Sequence, residues 1–94
     1  MITSFKDKST EAIWNGEFAK KIPPHIQEIA RRKLRMINNS HGVLDLKIPP
    51  ANHLEKLKGN RDGQFSIRIN DQYRICFNFA DGNATNVEIT DYHI

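Results

Sequence analysis

The stretch LKGNRDGQFSIRINDQYRICF, residues 57–77, determines the fold of this chain. Its second part alternates apolar and polar side chains, which is typical of strands that bury one face. The apolar positions form two runs on either side of NDQ: Phe65, Ile67 and Ile69, then Tyr73, Ile75 and Phe77. Asn and Asp between two such runs favour a tight reversal of the chain. The stretch therefore predicts an antiparallel β-hairpin.

Matching the apolar faces sets the register of this hairpin. The pairs that follow are Phe65 with Phe77, Ile67 with Ile75, and Arg68 with Arg74. The last pair places two cations directly opposite each other on the polar face, and such like-charge pairs are destabilising. Removal of Arg74 is therefore expected to leave the folded state as stable as before, or slightly more stable. A bound polyanion would offset the repulsion.

Two further cations, Lys58 and Arg61, lie on the glycine-containing loop that leads into the hairpin. Together with Arg68 and Arg74 they form a candidate anion-binding face, since clustered cations raise the local concentration of anions. The alternative interpretation is an ordinary solvated sheet face, on which two long side chains splay apart.

Downstream of the hairpin the same alternation continues. Val87 and Ile89 alternate with polar residues after the turn sequence ADGNA, which predicts a third strand and a C-terminal three-stranded meander. The extended register places Thr90 beside Arg74 and Glu88 near Cys76. One face of this meander is apolar and needs helices to cover it.

Upstream, residues 24–38 repeat apolar side chains at helical spacing after a pair of prolines that suits a first turn. A shorter helix is predicted within DKSTEAIWNGEF, with Asp7 or Ser9 as N-cap, and MITSF reads as a first strand. Residues 43–57 read as a loop with one short turn around VLDL. The predicted fold class is α+β, as one domain over residues 1–94.

Composition excludes several classes of protein. The 94 residues contain no apolar run near the roughly 20 that a membrane span needs, and MITSFKDKSTE lacks the apolar core of a signal peptide. A single cysteine, Cys76, forms no internal disulfide, which indicates a reducing cytoplasm. The net charge of +3 is mildly basic, so the distribution of the charges matters more than their sum.

Few other kinds of site are indicated. The four histidines are scattered without metal-ligand spacing, so we expect no metal site. Cys76 lies in the middle of a strand without an obvious base and is expected to be inert. KGNRDG lacks the ending of a phosphate-binding P-loop. The cations of the predicted second helix, Arg31 and Arg35 among them, are either a solvated face or an extension of a nucleic-acid footprint.

With these residues placed, the chain resembles the HigB-like toxins of the RelE superfamily, the toxin halves of bacterial toxin–antitoxin pairs. The resemblance extends from MITSF through ARRKLRMI to the pattern KGxRxGxxSIRxNxxxR and the closing VEITDYH. It implies a RelE-like fold, in which two N-terminal helices pack on a small antiparallel sheet. It also implies a ribosome-dependent endoribonuclease that cleaves mRNA in the A site without metal or other cofactor, and so inhibits translation and growth.

The resemblance further implies partners and site residues. The partners are a cognate helix-turn-helix antitoxin similar to HigA, in an oligomeric complex, and the ribosome with its mRNA. The catalytic positions carry over to Lys58, Arg68, Arg74, Tyr92 and His93. Arg61 becomes an RNA-contacting or supporting residue. Relatives can carry a histidine a few residues before the KG pair; here His53 is the RNA-binding candidate, at a different spacing, five positions before Lys58.

The chemistry of these residue types suits that activity. Metal-free cleavage of RNA needs a base for the 2′-OH, an acid for the leaving 5′-oxygen, and fixed donors for the charged phosphorane. Arg74 and Lys58 are expected at the phosphate with Arg68 in support, while Tyr92 or His93 moves protons. Two alternatives stay open: a non-catalytic RNA- or protein-binding module that uses the same basic face, and a related enzyme that cleaves free RNA.

Overall fold

Two helices precede a four-stranded antiparallel sheet, and the computed structural model describes residues 1–91. The elements are α1 (Lys8–Trp14), α2 (Pro24–Asn39), β1 (Glu55–Lys56), β2 (Phe65–Arg68), β3 (Tyr73–Ala80) and β4 (Asn83–Asp91). The strands lie in the order β1-β2-β3-β4. Short 3₁₀ turns occupy Val43–Lys47, Pro50–Asn52 and Gly59–Arg61. Over the part of the chain described, neither helix has the length and apolarity that a bilayer crossing requires.

The predicted hairpin register is confirmed. The β2–β3 partners include Phe65 with Phe77, Ile67 with Ile75, and Arg68 with Arg74. The extension to β4 is confirmed as well, because Arg74 pairs with Thr90 and Cys76 with Glu88. The register shifts between Cys76 and Asn78, where Asn86 on the facing strand has a positive φ of 52°. This bulge lies away from the cationic pair.

The prediction of a loop over 43–57 is wrong at its end, because Glu55 and Lys56 form β1. This strand pairs with Ser66 and Phe65 at the edge of β2. Two residues are too few to show a period-two pattern, and their conformation is imposed by the edge of β2. The predicted turn around VLDL is present as the 3₁₀ turn of Val43–Lys47.

The N-terminal segment forms two isolated bridges rather than a full strand. Ile2 pairs with Ala84 and Phe5 with Val87, both in the parallel sense. The Thr3 amide donates to the Ala84 carbonyl at 2.9 Å, and the Lys6 amide donates to the Val87 carbonyl at 3.0 Å. The segment therefore covers part of the β4 edge, which would otherwise present unpaired backbone groups.

The core lies between α2 and one face of the sheet. The buried stripe of the helix is Ile26, Ala30, Leu34 and Ile37, and the facing strand residues are Ile67, Ile75 and Phe77. Ile29, one of the apolar residues of the same helix, is only partly buried. The helix therefore lies on the apolar face of the sheet and leaves the opposite face to polar residues.

Side-chain hydrogen bonds join the remaining elements to this core. Of the two predicted N-cap candidates, Asp7 caps α1, by accepting from the Thr10 amide at 2.8 Å. The Thr10 hydroxyl in turn accepts from the Ile89 amide at 2.9 Å, which ties α1 to β4. Gln27 donates to the carbonyls of Ala19 and Ile22, both at 2.8 Å, and so holds the α1–α2 connection against α2.

Truncation of Leu34 tests the packing of α2 on the sheet. The side chain is fully buried, so Leu34→Ala removes core contacts and leaves a cavity. We expect the free energy of unfolding to fall by ~2–5 kcal/mol, measured by urea denaturation. Exposed Arg35, one position along the same helix, is the matched control, and Arg35→Ala is expected to change stability by less than ~0.5 kcal/mol. Equal losses for both variants would contradict this packing.

Candidate functional site

The face of the sheet that points away from α2 carries the candidate cations. Arg74 lies on the central strand β3, and the register brings it beside Arg68 of β2 and Thr90 of β4. Ser66 and Cys76 lie one step along the same face and are paired with each other. All of these positions are set by the strand alternation that buries the apolar side chains on the other face.

Arg74 is a buried cation with internal partners. It is 8% exposed. Its Nε donates to the Ser66 hydroxyl at 2.7 Å, and its Nη2 donates to the His53 carbonyl at 2.5 Å and more weakly to the Ser66 carbonyl at 3.4 Å. Its Nη1 lies 3.9 Å from a carboxylate oxygen of Glu55. The guanidinium is therefore held in one orientation by β1, β2 and the turn that precedes β1.

The local backbone explains why these partners converge. His53 ends the 3₁₀ turn of Pro50–Asn52 in the left-handed conformation, with φ of 44°. This reversal aims its carbonyl oxygen at Arg74 while its imidazole stays exposed. Glu55 then enters β1 opposite Ser66. His53 therefore touches the site through its backbone.

Arg68 takes a different direction from Arg74. It forms an ion pair with Asp71 in the β2–β3 loop, and its side chain is 35% exposed. The two arginines face each other in register, yet each guanidinium has its own acceptors. These contacts argue against the expectation that loss of Arg74 would leave stability unchanged or raise it, because that loss would leave buried acceptors without a donor.

Arg61 has a partner on the far strand of the same face. Its Nη1 donates to a Glu88 carboxylate oxygen and to the Gln64 side-chain oxygen, both at 3.1 Å. Lys6 also approaches Glu88, at 3.8 Å. This network ties the loop before β2 to β4, which gives Arg61 a supporting position.

Cys76 is fully buried between these charged groups. Burial raises the pKa of the Cys76 thiol, while the neighbouring Arg61 and Arg74 act in the opposite direction. A buried thiol with a raised pKa is poorly nucleophilic at neutral pH. This agrees with the inert role expected from the sequence.

Lys58 is the most accessible of the expected cations. It is exposed and caps the 3₁₀ turn of Gly59–Arg61. Gly59 follows with a positive φ of 66°, a conformation that L side chains rarely adopt. The glycine of the KG pair thus turns the chain directly after Lys58, and leaves the ammonium at the surface.

Arg31 and Arg35 of α2 are separated from the cationic face by the sheet, because α2 packs on the apolar side. Arg31 donates from Nε to the Ile13 carbonyl at 2.8 Å and pairs with Glu28, and its side chain is only 16% exposed. It therefore joins α2 to the end of α1. Arg35 is exposed on α2.

Tyr92 and His93 lie outside the described residues. The structure brings the chain to Asp91, which pairs with Tyr73 at the end of β4 and accepts from the Gln72 side chain at 2.9 Å. Within residues 1–91, no cluster of three His, Cys, Asp or Glu side chains is arranged to hold a metal ion.

Sequence reasoning missed the acceptors that organise the cations. Four residues not assigned to the site from the sequence each hydrogen-bond or form an ion pair with one of its arginines: Ser66, Glu55, Glu88 and Asp71. The hairpin register did contain a signal for Ser66, since it placed a small hydroxyl one step from Arg74. No comparable signal exists for Glu55, because β1 was not predicted.

Comparisons with known proteins agree with the resemblance. Residues 3–93 match the family described as the RelE-like toxin of the type II toxin–antitoxin system HigB. The chain is 40% identical over 87 residues to Toxin HigB-1 of Vibrio cholerae, covering 92% of each. It is 29% identical over 93 residues to a protein of Proteus vulgaris named Endoribonuclease HigB, covering 99% of this chain and 100% of that one.

A solved structure is similar in fold. The YoeB–YefM complex from Staphylococcus aureus contains a chain that superposes with a TM-score of 0.62 at 20% identity, covering 100% of this chain and 97% of that chain. At this identity the likeness concerns the fold alone. It agrees with two helices on a small antiparallel sheet, in which β1 adds a fourth strand to the predicted three-stranded meander. From the match over residues 3–93 and the close relative in Vibrio cholerae, the chain belongs to the HigB-like family of RelE-like toxins of type II toxin–antitoxin systems.

Proposed function

We propose that this toxin is a ribosome-dependent endoribonuclease that cleaves mRNA in the ribosomal A site, and that it inhibits translation and growth in the cytoplasm. Membership in the family supports the toxin role, and the Proteus vulgaris relative is named an endoribonuclease. The observation that carries the proposal is the fixed guanidinium of Arg74, which lies beside Arg68 in register on the neighbouring strand.

Fixed donors are what this reaction requires. When the 2′-OH of a nucleotide attacks the adjacent phosphate, negative charge develops on the phosphorane oxygens. Donors that are already oriented stabilise this charge without reorganising during the reaction. Arg74 meets the requirement, because Ser66 and His53 hold its Nε and Nη2, while Nη1 makes no hydrogen bond within residues 1–91. Glu55 lies 3.9 Å from Nη1, and an oxygen of the bound phosphate replaces it as the partner of this nitrogen.

Lys58 and Arg68 complete the proposed phosphate site. Lys58 is exposed and supplies a mobile point charge. Arg68 exchanges its surface pair with Asp71 for a phosphate oxygen, since exposed ion pairs contribute little net stability. Arg61 supports the site through Glu88, and His53 does so through its carbonyl. Arg31 and Arg35 are assigned to a wider RNA footprint on α2, with Arg35 the more accessible.

Proton transfer is assigned to Tyr92 and His93. They follow Asp91 directly in sequence, and Thr90 is the strand partner of Arg74. An unperturbed tyrosine has a pKa of ~10, so neighbouring cations are needed to make its phenol an effective base at neutral pH. An imidazole titrates close to neutral pH and suits either proton-transfer step.

The proposed partners are a helix-turn-helix antitoxin similar to HigA, in an oligomeric complex, and the ribosome with its mRNA. One similar solved structure, a heterotetrameric complex of the YoeB–YefM toxin–antitoxin pair from Staphylococcus aureus, supports an antitoxin partner. One observation favours the alternative of a non-catalytic binding module: the central cation, Arg74, already has internal acceptors. The proposal therefore needs a direct test of cleavage.

Primer-extension mapping of a translated mRNA, with purified protein and with or without ribosomes, provides that test. We expect cuts only when ribosomes are present, at the codon held in the A site. Cleavage of free RNA at the same rate would identify an enzyme that acts on free RNA. Intact mRNA together with normal co-sedimentation of the protein and ribosomes would identify a binding module.

Lys58 gives the sharpest test of the phosphate site, because its exposure separates activity from folding. Lys58→Ala is expected to lower the rate of ribosome-dependent cleavage by ~10²–10³, the usual loss for one electrostatic stabiliser. Its melting temperature should stay at the wild-type value. Exposed Lys56, two positions earlier on β1, is the matched control, and Lys56→Ala should cleave at nearly the normal rate. Similar rates for the two variants would remove Lys58 from the site.

Arg74 combines structural and catalytic roles, and a double-mutant cycle with Ser66 measures the structural one. Arg74→Ala is expected to lower the free energy of unfolding by ~1–3 kcal/mol, because buried acceptors lose their donor. Combined with Ser66→Ala, it should show a coupling energy of ~0.5–3 kcal/mol in urea denaturation. Strictly additive effects would mean that the Arg74–Ser66 bond contributes nothing to the folded state.

A further inference from the structure

A second basic site lies on the other side of the sheet, between α2 and the end of β2. Arg32 and Lys33 of α2 and Arg68 of β2 line a cleft of about 290 Å³. Its remaining walls are aliphatic and come from Ile29, Met36 and Ile69, with Ala51 at the rim. Within the described part of the chain, the lining thus combines three cations with an apolar floor and contains no carboxylate.

The cations of this cleft lie close together, and their mutual repulsion is unfavourable. Lys33 donates to the side-chain oxygen of Asn52, which is fully buried and in turn donates to the carbonyls of Leu46 and Ile48. Burial and the neighbouring Arg32 lower the pKa of Lys33, so the charged ammonium is disfavoured where it lies. Among residues 1–91, no ion pair is formed by Arg32 or Lys33, and Arg68 has only the highly exposed Asp71. An incoming anion would relieve this repulsion.

The size and lining of the cleft indicate what kind of anion fits. Its volume lies just below the ~300–1,000 Å³ that is usual for small-molecule sites, so it suits a few side chains of a larger partner. Unpaired RNA is bound mainly by stacking its bases on aromatic side chains, and among residues 1–91 no aromatic residue lines this cleft. Aliphatic walls with a flexible methionine instead favour apolar side chains of a protein.

We propose that this cleft binds a short segment of a partner protein in which acidic side chains alternate with apolar ones. The carboxylates pair with Arg32, Lys33 and Arg68, and the apolar side chains cover Ile29, Met36 and Ile69. The site lies on the helix-covered side of the sheet, and its inference does not depend on whether the toxin cleaves RNA. A segment bound in this cleft would hold the Arg68 side chain on the side of the sheet away from Arg74.

Amide chemical shifts of the isotope-labelled full-length toxin, titrated with a synthetic Leu-Glu-Leu-Glu-Leu peptide, test the proposal. We expect saturable shifts confined to the α2 residues that line the cleft, to Ala51, and to Arg68 and Ile69. A Leu-Gln-Leu-Gln-Leu peptide should bind at least ~10-fold more weakly, because it lacks the charges that the cations recognise.

Charge reversal on α2 supplies the matched variants. Arg32→Glu should weaken binding of the acidic peptide by ~10-fold or more, since the new carboxylate in the cleft repels the carboxylates of the peptide. Arg35→Glu makes the same change of charge at an exposed position of the same helix outside the cleft. It should weaken binding of the acidic peptide by less than ~2-fold in physiological salt. Both positions are exposed, and unchanged amide spectra outside the helix would show that the fold is retained.

Three results would overturn the proposal. The first is the absence of saturable shifts with the acidic peptide at millimolar concentration. The second is equal weakening by Arg32→Glu and Arg35→Glu, which would mean diffuse attraction without a site. The third is a short single-stranded RNA that shifts the same residues more strongly than the peptide, which would identify the cleft as a nucleic-acid site.

Discussion

The apolar register between β2 and β3 is the constraint on which the rest of the structure depends. Phe65 lies opposite Phe77 and Ile67 opposite Ile75, and α2 covers this face with its buried stripe. A slip by one residue would turn every apolar side chain to the wrong face, so the register is strongly specified. It follows that the polar side chains of both strands lie together on the opposite face, however unfavourable their charges are for each other.

The fold offsets these charges by giving each of the three arginines its own acceptors. Arg74 is turned toward Ser66 and the His53 carbonyl, and Arg68 is turned toward Asp71. Arg61 pairs with Glu88 across the sheet. A buried guanidinium is tolerated only when it is paired and hydrogen-bonded. The same contacts fix the orientation of the Arg74 guanidinium. The hydrogen bonds that stabilise this buried cation are therefore also those that would orient it toward a phosphate.

The shortness of β1 gives Arg68 a special position. β1 pairs only with Ser66 and Phe65, so the end of β2 has no strand beyond it. The Arg68 side chain can therefore reach the cleft beside α2 as well as the face that carries Arg74. One residue thus borders both basic surfaces of the toxin, and an occupant of one surface would compete for it with an occupant of the other.

The sequence by itself determined the hairpin, its register, the helix α2 and the set of cations, because period-two and period-3.6 patterns are local and apolar faces match in only one way. Only the tertiary structure decided how the cations are used. Arg74 has acceptors 8 and 21 positions away, at Ser66 and His53, and Glu55 comes near it from β1, a two-residue strand without a pattern of its own. Arg31, in the same way, proved to join two helices. Long, flexible side chains bond to whichever groups lie near them in space. Groups from distant segments of the sequence come near one another only once the chain has folded.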